Sequence, residues 1–271
     1  MSVPTAALEL PASRSTGSRN PLRLVGHDMR YGLKVLTRSP FPMLVGLFFP
    51  LFFNVMFNVI KSGQVVGGVL NVQFTTAAVI VYVLTFSGYF NLAIGVVVAR
   101  EKGVLKRIRQ TPVNRLVHVA SRVLVATTIS AVSVALMLVC SLGLFDLHLD
   151  VAKLPTLLVA FLLGSYTSCM LGMAVTRLIP TVEAGLVVAS ATLFPLLFLS
   201  GVFFPLTGLP TAVETILDLL PIAPMGDMVL AVFDPSVAAP ALDLRDAAVL
   251  AVWAVLGTAL TLKVMPWQPQ R

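Results

Sequence analysis

Long apolar stretches recur along this chain and alternate with short segments rich in charged residues. Six stretches approach or exceed the roughly 20 apolar residues that an α-helix needs to cross a bilayer. They run from about Phe41 to Ile60, Val72 to Ala99, Val117 to Phe145, Leu154 to Ile179, Ala184 to Phe204 and Ala247 to Met265. The pattern predicts an all-α, polytopic membrane protein with six transmembrane helices.

Composition supports a membrane location. Hydrophobic residues make up 57% of the chain and charged residues 11%, with a mean hydropathy of +0.93, whereas a soluble domain is about a quarter charged. The net charge is +7, which in a soluble protein would suggest a nucleic-acid partner. Because the charge follows the ends of the apolar stretches instead of forming one patch, we expect no nucleic-acid partner.

The distribution of charge predicts the orientation. With the N-terminus inside, sixteen of the 19 Lys and Arg residues fall in inner segments, and the other three are Lys61, Lys153 and Arg245. Eight of the 12 acidic residues fall in outer segments. Positive residues collect on the cytoplasmic side of membrane proteins. We therefore expect a multi-pass protein of a cell membrane with both termini in the cytoplasm.

The first 40 residues divide into two parts. Residues 1–19 are polar and predict a disordered cytoplasmic tail. Residues 20–40 repeat basic side chains at spacings of three and four, opposite an apolar side, which predicts an amphipathic interfacial helix. The alternative is a basic flank without a defined helix. The basic positions are Arg23, His27, Arg30, Lys34 and Arg38.

The segment between the second and third spans has the highest charge density in the chain. It runs from Arg100 to Pro112, where the proline would end a helix. We favour a helix that docks a partner, because the segment has an apolar strip on one side, contains Glu101 and ends at Pro112. A solvated loop is the alternative, and it accounts for the Lys and Arg content alone.

Between the fifth and sixth spans, the region 205–234 is apolar but interrupted by prolines. Thr211 and Glu214 fit a capping box at the start of a helix ending near Leu220, and a second apolar piece covers Met225–Phe233. Both are too short to span. They predict re-entrant or surface-lying helices on the outer side, with an ordinary extracellular loop as the alternative.

Catalytic and metal-binding motifs are missing from the sequence. It has no phosphate-binding loop of the G-x-x-x-x-G-K-[ST] type, no G-x-S-x-G motif, and three scattered histidines. No acidic residue lies convincingly in mid-span, which counts against a proton-coupled carrier. We expect a chain that is not itself an enzyme and that binds neither cofactor nor metal.

Uncharged polar residues in the spans have two interpretations. Asn54 and Asn58 share one face of the first span with Phe57 nearby, and Asn91 lies in the second span. They are either a polar lining for an amphiphilic substrate or interhelical hydrogen-bonding groups. We favour the second interpretation and keep the four residues as a candidate substrate path.

The layout resembles the permease subunits of type-2 ABC exporters, and is most similar to daunorubicin-resistance-type membrane subunits. Three features carry the resemblance from about Asn20 onward. They are the basic interfacial helix, the Arg100-Glu101-Lys102-Gly103 stretch continuing to Arg107, Thr111 and Pro112, and the Ser200-Gly201-Val202-Phe203-Phe204-Pro205-Leu206 stretch.

The resemblance implies a pair of permeases, each a copy or a paralogue of the other, with two ABC ATPase subunits docked underneath. ATP and Mg would be bound by the ATPase, and membrane lipids would surround the permease. The implied coupling residues are Arg100, Glu101, Gly103, Lys106, Arg107, Thr111 and Pro112. The interfacial helix, with Arg23, Arg30, Lys34 and Arg38, would add a second ATPase contact. Gly201, Phe203, Phe204 and Pro205 would belong to the outer gate.

The implied function is ATP-driven export of a lipophilic drug or lipid-like molecule across a bacterial plasma membrane. Export of a cell-envelope polysaccharide or its lipid-linked precursor is an alternative in the same class. A carrier driven by an ion gradient is the alternative from another class.

Overall fold

The computed structural model describes Gly26, Arg30 and residues 40–61, 63–66, 68–103, 115–203 and 210–264. The predicted tail 1–19 lies outside these residues. So does the predicted interfacial helix 20–40, apart from Gly26, Arg30 and Pro40. Gly26 and Arg30 are helical, and Arg30 is exposed.

The first helix, α1, runs Pro40–Ile60 and has 21 residues. It has the position and length of the first predicted span. A short antiparallel hairpin follows, in which β1 (Val65–Val66) pairs with β2 (Val69–Leu70). Gly68 lies in its turn with φ +87°, a left-handed conformation that glycine adopts without steric cost. The all-α prediction missed this hairpin because two-residue strands have no detectable period.

The second span consists of three consecutive segments: α2 (Asn71–Thr85), a π-helical stretch (Phe86–Asn91) and α3 (Leu92–Glu101). The π-helical stretch contacts the backbone of a later helix. A Cβ on Gly172 would lie 2.5 Å from the Tyr89 carbonyl oxygen, and a Cβ on Gly88 would lie 2.9 Å from Ser168 Cβ. Glycines at both positions therefore let two spans cross in backbone contact.

Three long helices follow. They are α4 (Arg115–Leu144), α5 (Leu154–Val175) and α6 (Val182–Leu199). Single 3₁₀ turns flank α5 at Val151–Lys153 and Thr176–Leu178. The first of these turns is capped by the Asp150 side chain, which accepts a hydrogen bond from the Ala152 amide at 2.9 Å.

Two short helices precede the last span. They are α7 (Thr211–Asp218) and α8 (Ile222–Phe233), which meet at an 80° bend, and the last span is α9 (Leu244–Val264). The predicted capping box is wrong, because Pro210 occupies the cap position and Thr211 is already helical. The second predicted piece begins three residues too late, since Pro224 lies within the first turn of α8, where proline is tolerated.

Packing separates central from peripheral helices. Within an 18-residue apolar stretch of each span, 67% of the residues are buried in Asn71–Glu101 and 56% in Val151–Leu178. In the corresponding stretches of α4, α6 and α9, between 22% and 28% of the residues are buried. The second and fourth spans therefore form the core together with α8. The large apolar side chains exposed on α4, α6 and α9 suit a lipid environment.

The prediction of a polytopic membrane protein is confirmed. Five helices in the described part of the chain are long and apolar enough to cross a bilayer, and a sixth is reached if the bent pair α7–α8 counts as one span. These five coincide with the last five predicted spans. Within α1, the stretch Phe48–Ile60 is apolar but shorter than those five.

Candidate functional site

Charged residues collect at two ends of the bundle. We call the end where α3 and α5 finish and α4 and α6 begin the basic end, with Arg100, Lys102, Arg122, Arg177 and Lys263. The other we call the acidic end, which carries eight acidic residues in the described part of the chain. These are Asp146, Asp150, Glu214, Asp218, Asp227, Asp234, Asp243 and Asp246.

Arg100 ties two helix ends together at the basic end. It is only 3% exposed and lies in the last turn of α3. Nη1 donates to the Thr176 carbonyl at 3.3 Å, and Nη2 donates to the carbonyls of Ile179 and Pro180, the latter at 2.9 Å. A planar guanidinium suits several carbonyls at once better than a lysine would. Arg100 therefore joins α3 to the turn between α5 and α6.

Glu101, the next residue in the chain, contacts the start of α6. Its Oε1 accepts a hydrogen bond from the Val182 amide at 2.7 Å, and Thr181 Oγ1 accepts one from the Ala184 amide at 3.2 Å. The first amides of a helix have no partner inside the helix, and a carboxylate there is favoured by the helix dipole. Glu101 is exposed, yet this contact occupies one of its oxygens and holds the start of α6 against the end of α3.

The chain then turns sharply. Lys102 is exposed, and Gly103 follows with φ +67°. The left-handed glycine ends α3 in the way typical of helix C-termini. The other coupling residues named from the sequence, Lys106, Arg107, Thr111 and Pro112, lie outside the described residues. So do Arg23, Lys34 and Arg38 of the interfacial helix.

The two asparagines of α1 are part of a buried polar network. Asn58 Nδ2 donates to Asn54 Oδ1 at 3.3 Å, and Ser141 Oγ donates to the same oxygen at 3.0 Å. Asn54 Nδ2 reaches Thr76 Oγ1 at 3.4 Å, and Asn71 Nδ2 reaches Asn58 Oδ1 at 3.2 Å. Asn54 and Asn58 are 0% and 2% exposed. The network joins α1, α2 and α4, so these groups make interhelical bonds instead of lining an open path.

The other two residues of the candidate substrate path contribute no side chain to this network, and Phe57 joins it only through its carbonyl oxygen, which accepts a hydrogen bond from Asn71 Nδ2 at 3.3 Å. The Phe57 ring contacts Phe53, with 5.7 Å between ring centroids. Asn91 is exposed at the end of the π-helical stretch. The structure therefore does not bring the four residues together into one lining.

A half-open cavity of about 330 Å³ lies at the acidic end. Its walls come from α2, from the end of α6 and the residues after it, and from α7 and α8. Gly201, with φ +73°, and Val202 form one side, and the carboxylates of Glu214, Asp218 and Asp227 reach it from α7 and α8. The volume is at the lower end of the range of ligand cavities, and the lining mixes apolar side chains with these three carboxylates.

Phe203, next to this cavity, contacts two other rings. Its centroid lies 6.3 Å from that of Tyr82 and 6.1 Å from that of Phe198. The two remaining gate residues named from the sequence, Phe204 and Pro205, lie outside the described residues. In the described part of the chain, no three His, Cys, Asp or Glu side chains come together as metal ligands.

Comparison with known proteins decides the family. The model of the ABC-2 type transporter family matches residues 27–233, which covers most of the chain. The chain belongs to the ABC-2 type transporter family. No curated protein matches it.

Membership makes this chain the membrane-spanning permease component of an ABC transporter. Association with ABC ATPase partners follows from the family. The match ends at Phe233, the last residue of α8, so it covers α1 to α8, including the cavity and every residue of the basic end except Lys263.

One buried cation of the permease was missed as a functional candidate. Lys153, 3% exposed, donates from Nζ to the carbonyls of Ala231 at 3.4 Å and Asp234 at 2.6 Å. Its partners are backbone atoms about 80 residues away, so they have no side-chain signature. The only available signal was that Lys153 is one of three Lys or Arg residues in segments assigned to the outside.

Proposed function

We propose that this permease exports a lipophilic drug or lipid-like molecule from the cytoplasm or the inner leaflet, driven by ATP hydrolysed on a separate subunit. The observation that carries the proposal is the junction at Arg100 and Glu101. There the end of α3, which leads directly into the basic segment 104–112, is bonded to the start of α6 and the end of α5. A displacement applied to that segment would therefore reach three spans.

The basic end faces the cytoplasm of a bacterial cell in this proposal, with both termini inside. Support comes from the charge difference between the two ends, because positive residues are retained on the cytoplasmic side. The large apolar side chains exposed on α1, α4, α6 and α9 would contact lipid or a second permease. The transporter would contain two permeases, identical or paralogous, and two ATPases that bind ATP and Mg.

We propose a narrower ATPase contact than the full set of coupling residues. Arg100 is buried and Glu101 binds Val182, so both act mainly inside the permease. The docking surface would then consist of Lys102 and Gly103 with Lys106, Arg107, Thr111 and Pro112. The interfacial helix, in which Arg30 is exposed, would add a second contact.

Release of substrate would take place at the acidic end. The cavity lined by α2, α7 and α8 combines apolar side chains with carboxylates, which suits an amphiphilic molecule leaving the membrane core. The helices α7 and α8, with the residues around Gly201 and Phe203, would form the outer gate. The choice of a lipophilic substrate follows the resemblance of the sequence motifs to daunorubicin-resistance-type permeases.

The proposal is tested by ATP hydrolysis of the permease–ATPase complex in lipid nanodiscs. We expect lipophilic dyes such as rhodamine 6G to stimulate hydrolysis. Combining Lys106→Ala with Arg107→Ala should weaken ATPase binding about tenfold, because two cationic contacts are lost. The control is Lys263→Ala, which removes an exposed cation from the same end.

Two results would contradict the proposal. One is ATP hydrolysis indifferent to every lipophilic compound tested but stimulated by a lipid-linked sugar, which would favour the polysaccharide alternative. The other is equal ATPase binding by the wild type and the double variant, which would remove the coupling segment from the docking surface.

A further inference from the structure

Lys153 stabilises a helix end that α8 cannot satisfy by itself. The last four carbonyls of a helix lack intrahelical donors, and Ala231 is among them in α8. The Lys153 ammonium donates to this carbonyl and to that of Asp234, the residue that follows the helix. A cation at a helix C-terminus is also favoured by the helix dipole. Lys153 therefore attaches α8 to the start of α5.

A second contact at the same place strengthens the attachment. Thr156 Oγ1, in the first turn of α5, donates to the carbonyl of Pro240. Pro240 lies in the loop between α8 and α9, and the Thr156 side chain is 2% exposed. The start of α5 thus holds both the end of α8 and the loop that follows it.

The other end of α5 is held in the same manner. There Arg100 donates to the carbonyls of Thr176, Ile179 and Pro180. Each end of the fourth span therefore carries a buried basic side chain bonded to backbone carbonyls. Arg100 reaches into the end of α5 from α3, whereas Lys153 reaches out from the start of α5 to α8. The 22 residues of α5 correspond to a rod of roughly 33 Å.

Close packing along α5 leaves little room for sliding. A Cβ on Gly164 would lie 2.4 Å from Met225 Sδ of α8, and one on Gly172 would lie 2.5 Å from the Tyr89 carbonyl oxygen. Thr261 Oγ1 of α9 donates to the Met170 carbonyl at 3.0 Å. Densely packed elements of this kind move as units.

We infer that α5 is a strut that carries displacement from the basic end to α8, and that Lys153 is the positioning residue at its far end. The inference rests on the proposed function, because the displacement enters where the ATPase would dock. In this arrangement α8 moves with α5, and the cavity that α8 lines changes its opening with the nucleotide state.

The test measures access to the cavity. Leu230, half-buried on α8, lines it. A Leu230→Cys variant, with Cys140 and Cys169 replaced by Ala, is assembled with its ATPase in nanodiscs and labelled with a charged maleimide. The labelling rate is compared between the nucleotide-free and the vanadate-trapped complex. We expect the two rates of this reporter to differ several-fold.

Lys153→Met keeps most of the side-chain volume and removes the ammonium. It should bring the two labelling rates to within about twofold of each other, while Lys153→Arg should keep the original difference. The matched control is Lys61→Met, which removes the other lysine of the acidic end. If Lys153→Met fails gel filtration, Thr156→Val is used in its place and should reduce the rate difference in the same direction.

A double variant distinguishes transmission through α5 from a purely structural role of Lys153. If Lys153 only stabilises the fold, its effect adds to that of Arg100→Ala, as the effects of distant sites on stability do. If α5 transmits the displacement, Arg100→Ala alone already interrupts it, and the loss of Lys153 has no further effect on the rate ratio. Arg100→Ala with Lys153→Met should therefore give the same rate ratio as Arg100→Ala alone. The inference is overturned if the reporter shows equal rates in both nucleotide states, if Lys153→Met keeps the reporter's ratio, or if Lys61→Met changes it equally. Dye-stimulated ATP hydrolysis in the same samples reports separately on the proposed function.

Discussion

Two buried serines of α4 illustrate how single polar groups differ inside this bundle. Ser141 is fully buried and bonds to Asn54 and Thr76, whereas Ser133, 5% exposed, has no partner for its hydroxyl among the described residues. A buried hydroxyl that is bonded contributes to stability, and one that is not bonded costs free energy. The two positions therefore form a matched pair.

Ser141→Ala should lower the unfolding free energy by about 1–2 kcal/mol, because Asn54 and Thr76 each lose a partner. Ser133→Ala should leave it within about 0.5 kcal/mol of the wild type or raise it. Thermal unfolding in detergent micelles, followed by tryptophan fluorescence, compares the two variants. Equal losses at both positions would mean that the network around Asn54 does not stabilise the bundle.

Part of this network could be predicted from the sequence. Asn54 and Asn58 are four residues apart and polar in an apolar helix, so a shared face and interhelical bonds follow. The Asn54 partner Ser141 could not be named, because the contact joins residues 87 apart and serine is common in packed spans. The same limit applied to Arg100 and Glu101. Both were selected from the sequence, but their backbone partners inside the chain were not.

At the scale of elements, the crossing of the second and fourth spans decides the shape of the core. A Cβ added to Gly172 would lie 2.5 Å from the Tyr89 carbonyl oxygen and 2.8 Å from that of Gly88. Gly143 of α4 has nothing within 4 Å of such an atom. Both glycines are helical, so alanine would gain the same helix propensity at either site.

Gly172→Ala should push the two spans apart, because a backbone carbonyl cannot move aside as a side chain does. We expect a loss of stability of about 2–4 kcal/mol, or failure to assemble. Gly143→Ala should be neutral or stabilise by up to about 1 kcal/mol. Yield of monodisperse protein and thermal unfolding distinguish the two. A Gly172→Ala protein as stable as the wild type would show that the spans are less tightly packed at this crossing.

The helices were predictable to different degrees. The long spans were found because an unbroken run of about 20 apolar residues is typical of a helix that crosses a bilayer. The hairpin between α1 and α2 was missed because it is too short to show a period. The start of α7 was misplaced because Thr211 resembles a cap, whereas Pro210 already has the extended conformation, φ −59° and ψ 139°, that places it before the helix.

On the scale of the whole molecule, the two ends of the bundle carry opposite charges, and buried side chains bond the core helices to one another at both ends. The basic end holds α3, α5 and α6 together through Arg100 and Glu101, and the acidic end attaches α8 to α5 through Lys153. The cavity lies at the acidic end, with α8 as one of its walls. The central claim of the proposed function is that energy enters the permease at the basic end and that substrate leaves at the acidic end.

Uptake of a lipophilic dye into inside-out proteoliposomes tests that claim most directly. Rhodamine 6G uptake is measured with the permease and its ATPase together, with the permease alone and with the ATPase alone, each with vanadate or a protonophore. We predict uptake only when both proteins and ATP are present, blocked by vanadate and unaffected by the protonophore. Uptake by the permease alone that survives vanadate and collapses with the protonophore would contradict ATP-driven export and indicate an ion-gradient carrier.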